Sequence, residues 1–336
     1  MSVASEPDNA VAALSALRAL CEFGAPEYDN AAVCDRAGAD REVADRLWRA
    51  LGFADVPDGE LAFTEDDARA LQLATEGLGD LAPPAREAAL QLCIQEARVV
   101  SAHLAGLAEI ELDALGAMVP LGFRTRIVGE AMEHGIGSSD LGWLILYCVR
   151  RQLLGAIERR AIGAHAGEDT AVLSVGFVDL VDFTGLSDRL SMPALGRLLA
   201  AFEGAAFDAV TEAGGRVVKL IGDEVMYVCP KPGAAVHAAL DILDRVGELG
   251  LPAARAGISS GAVLRQAGDY FGRAVNLASR ITSSGVEDMV WIDDQTARVL
   301  SGDITLEIGG AETRDLKGLG PTPLFSVRRH GSAAGP

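Results

Sequence analysis

Cysteines, basic residues and long apolar runs are all scarce in this chain, and each shortage removes a class of protein. The five cysteines, Cys21, Cys34, Cys93, Cys148 and Cys229, are scattered and show no CxxC spacing. No disulfide framework or thiolate metal motif is therefore expected, and reduced thiols point to a cytoplasmic setting. Lys and Arg number 29 against 48 Asp and Glu, a formal net charge of −19. General nucleic-acid binding needs a basic footprint, which this balance denies. The longest apolar run, Leu141–Val149, is far shorter than the ~20 residues that span a bilayer. The acidic N-terminus lacks a charged segment followed by an apolar one, so neither a signal peptide nor a membrane span is expected. What is abundant is core material: 49% of the 336 residues are hydrophobic, enough for two domains.

The halves differ in kind. Residues 1–165 are rich in Ala, Leu, Arg and Glu at helical spacing, punctuated at Gly24–Pro26, Val56–Gly59 and Pro83-Pro84, and read as all-α. Asp40–Phe53 opens on an N-cap residue and places Val43, Leu47, Trp48 and Leu51 along one face. Glu60–Leu73 offers a second helix opening at Thr64, with acidic residues in its first turn. A DNA-binding helix-turn-helix is the sharp alternative here, but acidic Thr64–Asp67 argues for core-forming helices instead.

In the second half, Ala171–Val178 reads as a strand that breaks at Asp179. Arg216–Ile221 and Val225–Cys229 read as a hairpin whose Gly222-Asp223-Glu224 tip projects Asp223. Neighbouring strand ends would bring Asp179 and Asp223 together, and two such anions with room for phosphate favour Mg²⁺ or Mn²⁺. Gly268–Ile281 is a turn running into a helix on which Asn276 and Arg280 share one face. A neutral donor beside a guanidinium suits a phosphate that gains charge at its transition state. A long helical stretch Ser187–Ala213, a helix Gly233–Gly247 and strands at Ala254–Ser260, Met289–Asp293 and Leu324–Val327 complete the pattern. The expected plan is α+β, a mostly antiparallel ferredoxin-like sheet with helices packed on it.

In order and separation, these segments resemble the catalytic domain of class III nucleotidyl cyclases over Thr170–Arg328. The resemblance implies that Asp179 and Asp223 bind two metal ions, that Lys219 and Asp269 recognise the base, and that Asn276 and Arg280 serve the transition state. Lys317, in Leu316-Lys317-Gly318, is similar to a lysine that contacts the terminal phosphates in some members. ATP is the implied substrate, with 3′,5′-cyclic AMP and pyrophosphate as products of a two-metal in-line displacement. Chemistry agrees with the base assignment: adenine offers an N1 acceptor beside an N6 donor, to which Lys219 can donate and from which Asp269 can accept, while guanine presents the reverse. The proton acceptor stays open between a metal-bound hydroxide, the substrate and Asp179. Members place the two residue sets across a head-to-tail dimer, so a homodimer with composite sites is implied.

The first half resembles, through Arg41–Phe63 and Leu121–Asp140, the regulatory domain of soluble actinobacterial cyclases, a pH-responsive mycobacterial one among them. That implies an autoinhibitory helical domain over 1–139, a switch helix within 140–167, a catalytic domain over 168–330 and a disordered tail over 331–336. It also leaves room for a fatty acid or other apolar ligand in the helical domain. Of the five histidines, His103, His134, His165, His237 and His330, His134 and His165 are the better switch candidates by position. Two rivals stand. A diguanylate cyclase is echoed by Gly222-Asp223-Glu224, yet Ile221 and Val225 depart from that signature. The other is a catalytically silent nucleotide sensor.

Overall fold

The computed structural model describes residues 26–53, 55–118, 140–163 and 170–331. The chain divides into two compact units, Met1–Ile162 and Gly163–Pro336. His134, His165 and the tail beyond 331 lie outside the described residues.

The first unit is helical. Helix α1 spans Asn30–Ala37, α2 Arg41–Ala50, α3 Glu65–Thr75, α4 Pro83–Met118 and α5 Asp140–Gly163. Asp40 caps α2 by accepting from the Glu42 and Val43 amides, and Thr64 forms a reciprocal capping box with Asp67, which satisfies otherwise orphaned first-turn donors. Each starts directly after the cap the sequence names, but α2 ends at Ala50 rather than near Phe53, and α3 runs on past Leu73 to Thr75. Val33, Leu47, Trp48, Phe63, Leu71, Leu90 and Ile94 make the core, with Trp48 stacked on Phe63 at 5.5 Å. The arginines that a helix-turn-helix would offer to phosphate are occupied: Arg36 pairs with Glu65, Arg41 with Asp58, Arg46 with Glu87 and Arg49 with Asp55. Those pairs favour core-forming helices over a DNA-reading pair. Helix α5 is different, since Trp143, Leu146, Val149, Leu153 and Ile157 are all exposed.

The second unit is one eight-stranded sheet. Its elements are β1 (Thr170–Leu180), α6 (Phe183–Ser187), α7 (Met192–Glu212), β2 (Arg216–Ile221), β3 (Glu224–Cys229), α8 (Pro232–Glu248) and β4 (Ala254–Gln266). Then follow β5 (Asp269–Phe271), α9 (Arg273–Ser283), β6 (Val290–Asp293), α10 (Asp294–Leu300), β7 (Leu306–Leu316) and β8 (Gly320–Arg329). The order is β2-β3-β1-β4-β6-β8-β7 with β5 on β4. Every pairing is antiparallel except β4 with β6. One face packs Phe202, Val210, Val236 and Ile242 of α7 and α8 against Val178, Val225 and Ile258. The opposite face packs Val175, Phe177, Met226 and Val263 under Ala274 and Ala278 of α9.

Several boundaries correct the sequence expectation. Strand β1 continues to Leu180, so Asp179 sits inside it rather than after its end, opposite Glu224 on β3 and Arg255 on β4. The helix expected over Ser187–Ala213 starts only at Met192, because Pro193 is confined to a first turn, and a separate short helix, α6, precedes it over Phe183–Ser187. Strands β5 and β7 were not expected, and β4 runs well past Ser260.

Candidate active site

Side chains directly opposite across antiparallel strands share a sheet face. Lys219 pairs with Met226, Met226 with Phe177, and Asp179 with both Glu224 and Arg255. The α9 side of the sheet therefore gathers Lys219, Asp179, Glu224 and Arg255 on one surface.

At the end of β1 the Arg255 guanidinium forks onto Asp179, Nε to Oδ1 at 2.7 Å and Nη2 to Oδ2 at 2.9 Å. Asp179 is 17% and Arg255 28% exposed. Asp223 follows Gly222, whose φ of 62° gives the tight turn between β2 and β3. The Asp223 carbonyl accepts from the Leu180 amide at 3.2 Å, which holds the turn against β1. Burial, with Asp179 nearby, raises the Asp223 carboxyl, and burial followed by the charges of Asp179 and Asp223 raises Glu224. The charged forms of Asp223 and Glu224 are thus held at a cost in free energy that a cation would relieve. Carboxylate oxygens alone are the donor set of a hard divalent ion, so the residues fit one. Among the described residues no three His, Cys, Asp or Glu side chains form a ready-made cage.

Lys219 on β2 donates to Asp269 Oδ2 at 2.5 Å, and Asp269 Oδ1 accepts from the Tyr270 amide at 2.8 Å. Arg216 stacks over Tyr270 at 5.3 Å and donates to the Gly268 carbonyl, which fixes the loop that presents Asp269. Helix α9 buries Ala274, Leu277, Ala278 and Ile281 and leaves Asn276 and Arg280 exposed. Gly257 lets it lie close: a Cβ there would meet the Thr282 amide at 2.4 Å and the Ala278 carbonyl at 2.7 Å. Lys317 is exposed in the β7–β8 turn, ahead of Gly318 at φ 80°.

The structure thus brings together Asp179 with Asp223 and Lys219 with Asp269. It sets Asn276 and Arg280 on the helix covering the same face. Sequence reasoning missed Arg255 and Glu224. The signal for Arg255 was there, a lone charge within the small and apolar run Ala253–Ile258. Burial pushes the Cys229 thiol up to about 12, which leaves that side chain a buried, inert thiol. No described helix is long and apolar enough to cross a membrane.

Residues 166–327 match the family described as the adenylate and guanylate cyclase catalytic domain, whose members conventionally use divalent metal ions. An adenylate cyclase of Streptomyces coelicolor is 36% identical over 79% of this chain and 69% of its own length. An adenylate cyclase of Glutamicibacter nicotianae is 30% identical over 90% of this chain and 79% of its own. A pH-sensitive adenylate cyclase of Mycobacterium tuberculosis is 30% identical over 90% of this chain and 78% of its own. Identity at that level over both units, on a sheet carrying these carboxylates and this Lys–Asp pair, shows that the chain belongs to the class III adenylate and guanylate cyclase family.

Proposed function

We propose that this protein is an adenylate cyclase that converts ATP to 3′,5′-cyclic AMP and pyrophosphate at the interface of a homodimer. The observation that carries the choice of nucleotide is the Lys219–Asp269 pair at 2.5 Å. One member donates and the other accepts, which is the complement of the adenine edge and a mismatch to guanine. The relatives named adenylate cyclase support the same choice.

Asp179 and Asp223 would hold the divalent ions, Mg²⁺ or Mn²⁺ and two per site. Those ions, when bound, supply charge neutralisation at the phosphates and lower the pKa of the attacking hydroxyl. Asn276 orients the ribose and Arg280 meets the charge that builds on the α-phosphate. Lys317 reaches the terminal phosphates. Neither Asn276 nor Arg280 makes a side-chain hydrogen bond or ion pair among the described residues, so both are available to a nucleotide whose cations are held by the partner subunit.

The helical unit is the proposed regulator, with 1–139 inhibitory, 140–167 the switch segment and 168–330 catalytic. The relative named as pH-sensitive supports protons as the input. The depressed carboxylates Glu65 and Asp55 are not the sensor. Hydrogen bonds from Tyr28 and Arg36 lower Glu65, and one from Arg49 lowers Asp55. A depressed carboxylate contributes stability above its unfolded pKa and loses it only as pH falls through the folded value, hence below ~4. Sensing nearer neutrality falls to His134 and His165. An apolar ligand gains little support from the cavity beside α2, about 120 Å³ and lined by Arg41, Asp45, Arg49 and Asp55 as well as Trp48, Val56 and Phe63. At that volume it is too small for an acyl chain. The reduced thiols favour a cytoplasmic enzyme.

The test is cyclic AMP formation from ATP and from GTP by the full chain with Mn²⁺ or Mg²⁺, followed from mildly acidic to mildly alkaline pH. ATP is expected to be turned over and GTP to be rejected by ~10⁴-fold or more. No product at any pH would favour the silent sensor. A pH profile unmoved by His134→Gln with His165→Gln would clear both histidines.

A further inference from the structure

Among the carboxylates Asp179, Asp223 and Glu224, Asp179 takes the Arg255 guanidinium in a two-pronged fork and the other two act on it through their charge. Their charges, Asp179 first through its hydrogen bonds, raise the Arg255 pKa. Two features set this pair apart from a surface ion pair. Asp179 and Arg255 are direct register partners on adjacent central strands, so the sheet itself fixes their separation and little side-chain freedom is lost in pairing. The fork also engages both oxygens of Asp179, at 2.7 and 2.9 Å. That is the strong bidentate form of a charge-assisted bond.

We propose that Arg255 is a resident counter-cation on Asp179, which must let go of that carboxylate before a divalent ion can be held there. The inference rests on the reading of Asp179 as a metal ligand. A divalent ion at coordination distance from Asp179 would sit within a few ångströms of a fixed positive charge. It would also share oxygens already committed to two N–H donors. Ion binding is therefore an exchange in which Arg255 leaves, and in the absence of nucleotide the paired form opposes it. Arg255 acts here as a positioning residue: it keeps the end of β1 and the β2–β3 turn assembled while the carboxylates lack an ion.

The exchange is measured by binding alone. Free Mn²⁺ is followed by electron paramagnetic resonance during titration of the full chain without nucleotide, for wild type, Arg255→Gln, Arg255→Lys and Asp179→Asn. Arg255→Gln is expected to bind Mn²⁺ about tenfold more tightly than wild type, the scale of a lost charge-assisted bond. Arg255→Lys keeps the charge but not the fork, so it guards against misfolding of the glutamine variant and is expected to tighten binding severalfold. Asp179→Asn should abolish the site. If Asp179→Asn removes binding while both Arg255 variants bind as wild type or more weakly, the counter-cation role is overturned and the metal reading stands. If only Arg255→Lys matches wild type, a general field effect replaces the fork, which also overturns the proposal. Binding unchanged in Asp179→Asn would overturn the metal reading itself.

Discussion

Mixing Asp179→Ala chains with Asn276→Ala chains is expected to restore cyclic AMP synthesis that neither variant supports alone. Each homodimer would lack one essential half at both of its sites. A mixed dimer would combine both lesions at one site and leave the other intact, so the recovered rate per mixed dimer is about half that of wild type. The expectation rests on the proposed head-to-tail homodimer, in which Asp179 of one subunit would face Asn276 of the other. Asp179 lies within β1 among carboxylates, whereas Asn276 stands exposed on α9. Asn276→Ala removes no buried packing and should leave the fold intact, so a missing signal in that homodimer reports chemistry rather than stability. The measurement is activity against mixing ratio, with mixed dimers counted by affinity tags of two kinds. Absence of recovery despite demonstrable mixed dimers would rule out the shared site.

Gly257→Ala is expected to lower kcat about 100-fold with a much smaller change in KM. An added Cβ meets backbone of α9, the Thr282 amide at 2.4 Å and the Ala278 carbonyl at 2.7 Å, and backbone cannot rotate away as a flexible side chain could. Helix α9 must lift, and overpacking of this sort costs about 1–3 kcal/mol in stability. The lift moves Asn276 and Arg280 together, and ~1 Å of misplacement at a reacting centre is worth about two orders of magnitude. Lys219 and Asp269 sit on β2 and β5 and the carboxylates on β1 and the β2–β3 turn, none of them on α9, so nucleotide binding should survive. Steady-state kinetics beside a thermal melt separates the cases: wild-type kcat in a folded variant would show that α9 is not held by this contact.

The parts of the candidate site that were legible in sequence are those where chemistry breaks a local pattern. Asp179 interrupts an apolar run, Asp223 follows a turn glycine, and Asn276 with Arg280 marks one stripe of an amphipathic helix; each is visible within a short window. Arg255 and Glu224 were not found because their importance comes from cross-strand register. Arg255 is 76 residues from Asp179, and only the β1–β4 pairing makes them neighbours. Strands β5 and β7 escaped for related reasons. β5 is three residues long, too short for alternation to show. β7 carries Gly309-Gly310 where its register slips, between Ile308 and Ala311, and such a bulge breaks the period-2 signal. The capped helices of the first unit were legible because a cap is a local chemical statement, made by Asp40 or Thr64 to amides two or three residues away.

The bridge between Lys219 and Asp269 bears on how selectivity would be expressed. With each satisfying the other before a base arrives, an adenine edge would exchange one charge-assisted bond for two bonds to itself, with little net gain. A base of opposite polarity would break the bridge and strand an ammonium against a donor and a carboxylate against an acceptor. On the proposed reading this subsite works as a discriminator rather than an anchor. Its removal would then erase the preference between nucleotides while the grip on ATP, held at the phosphates, barely loosens.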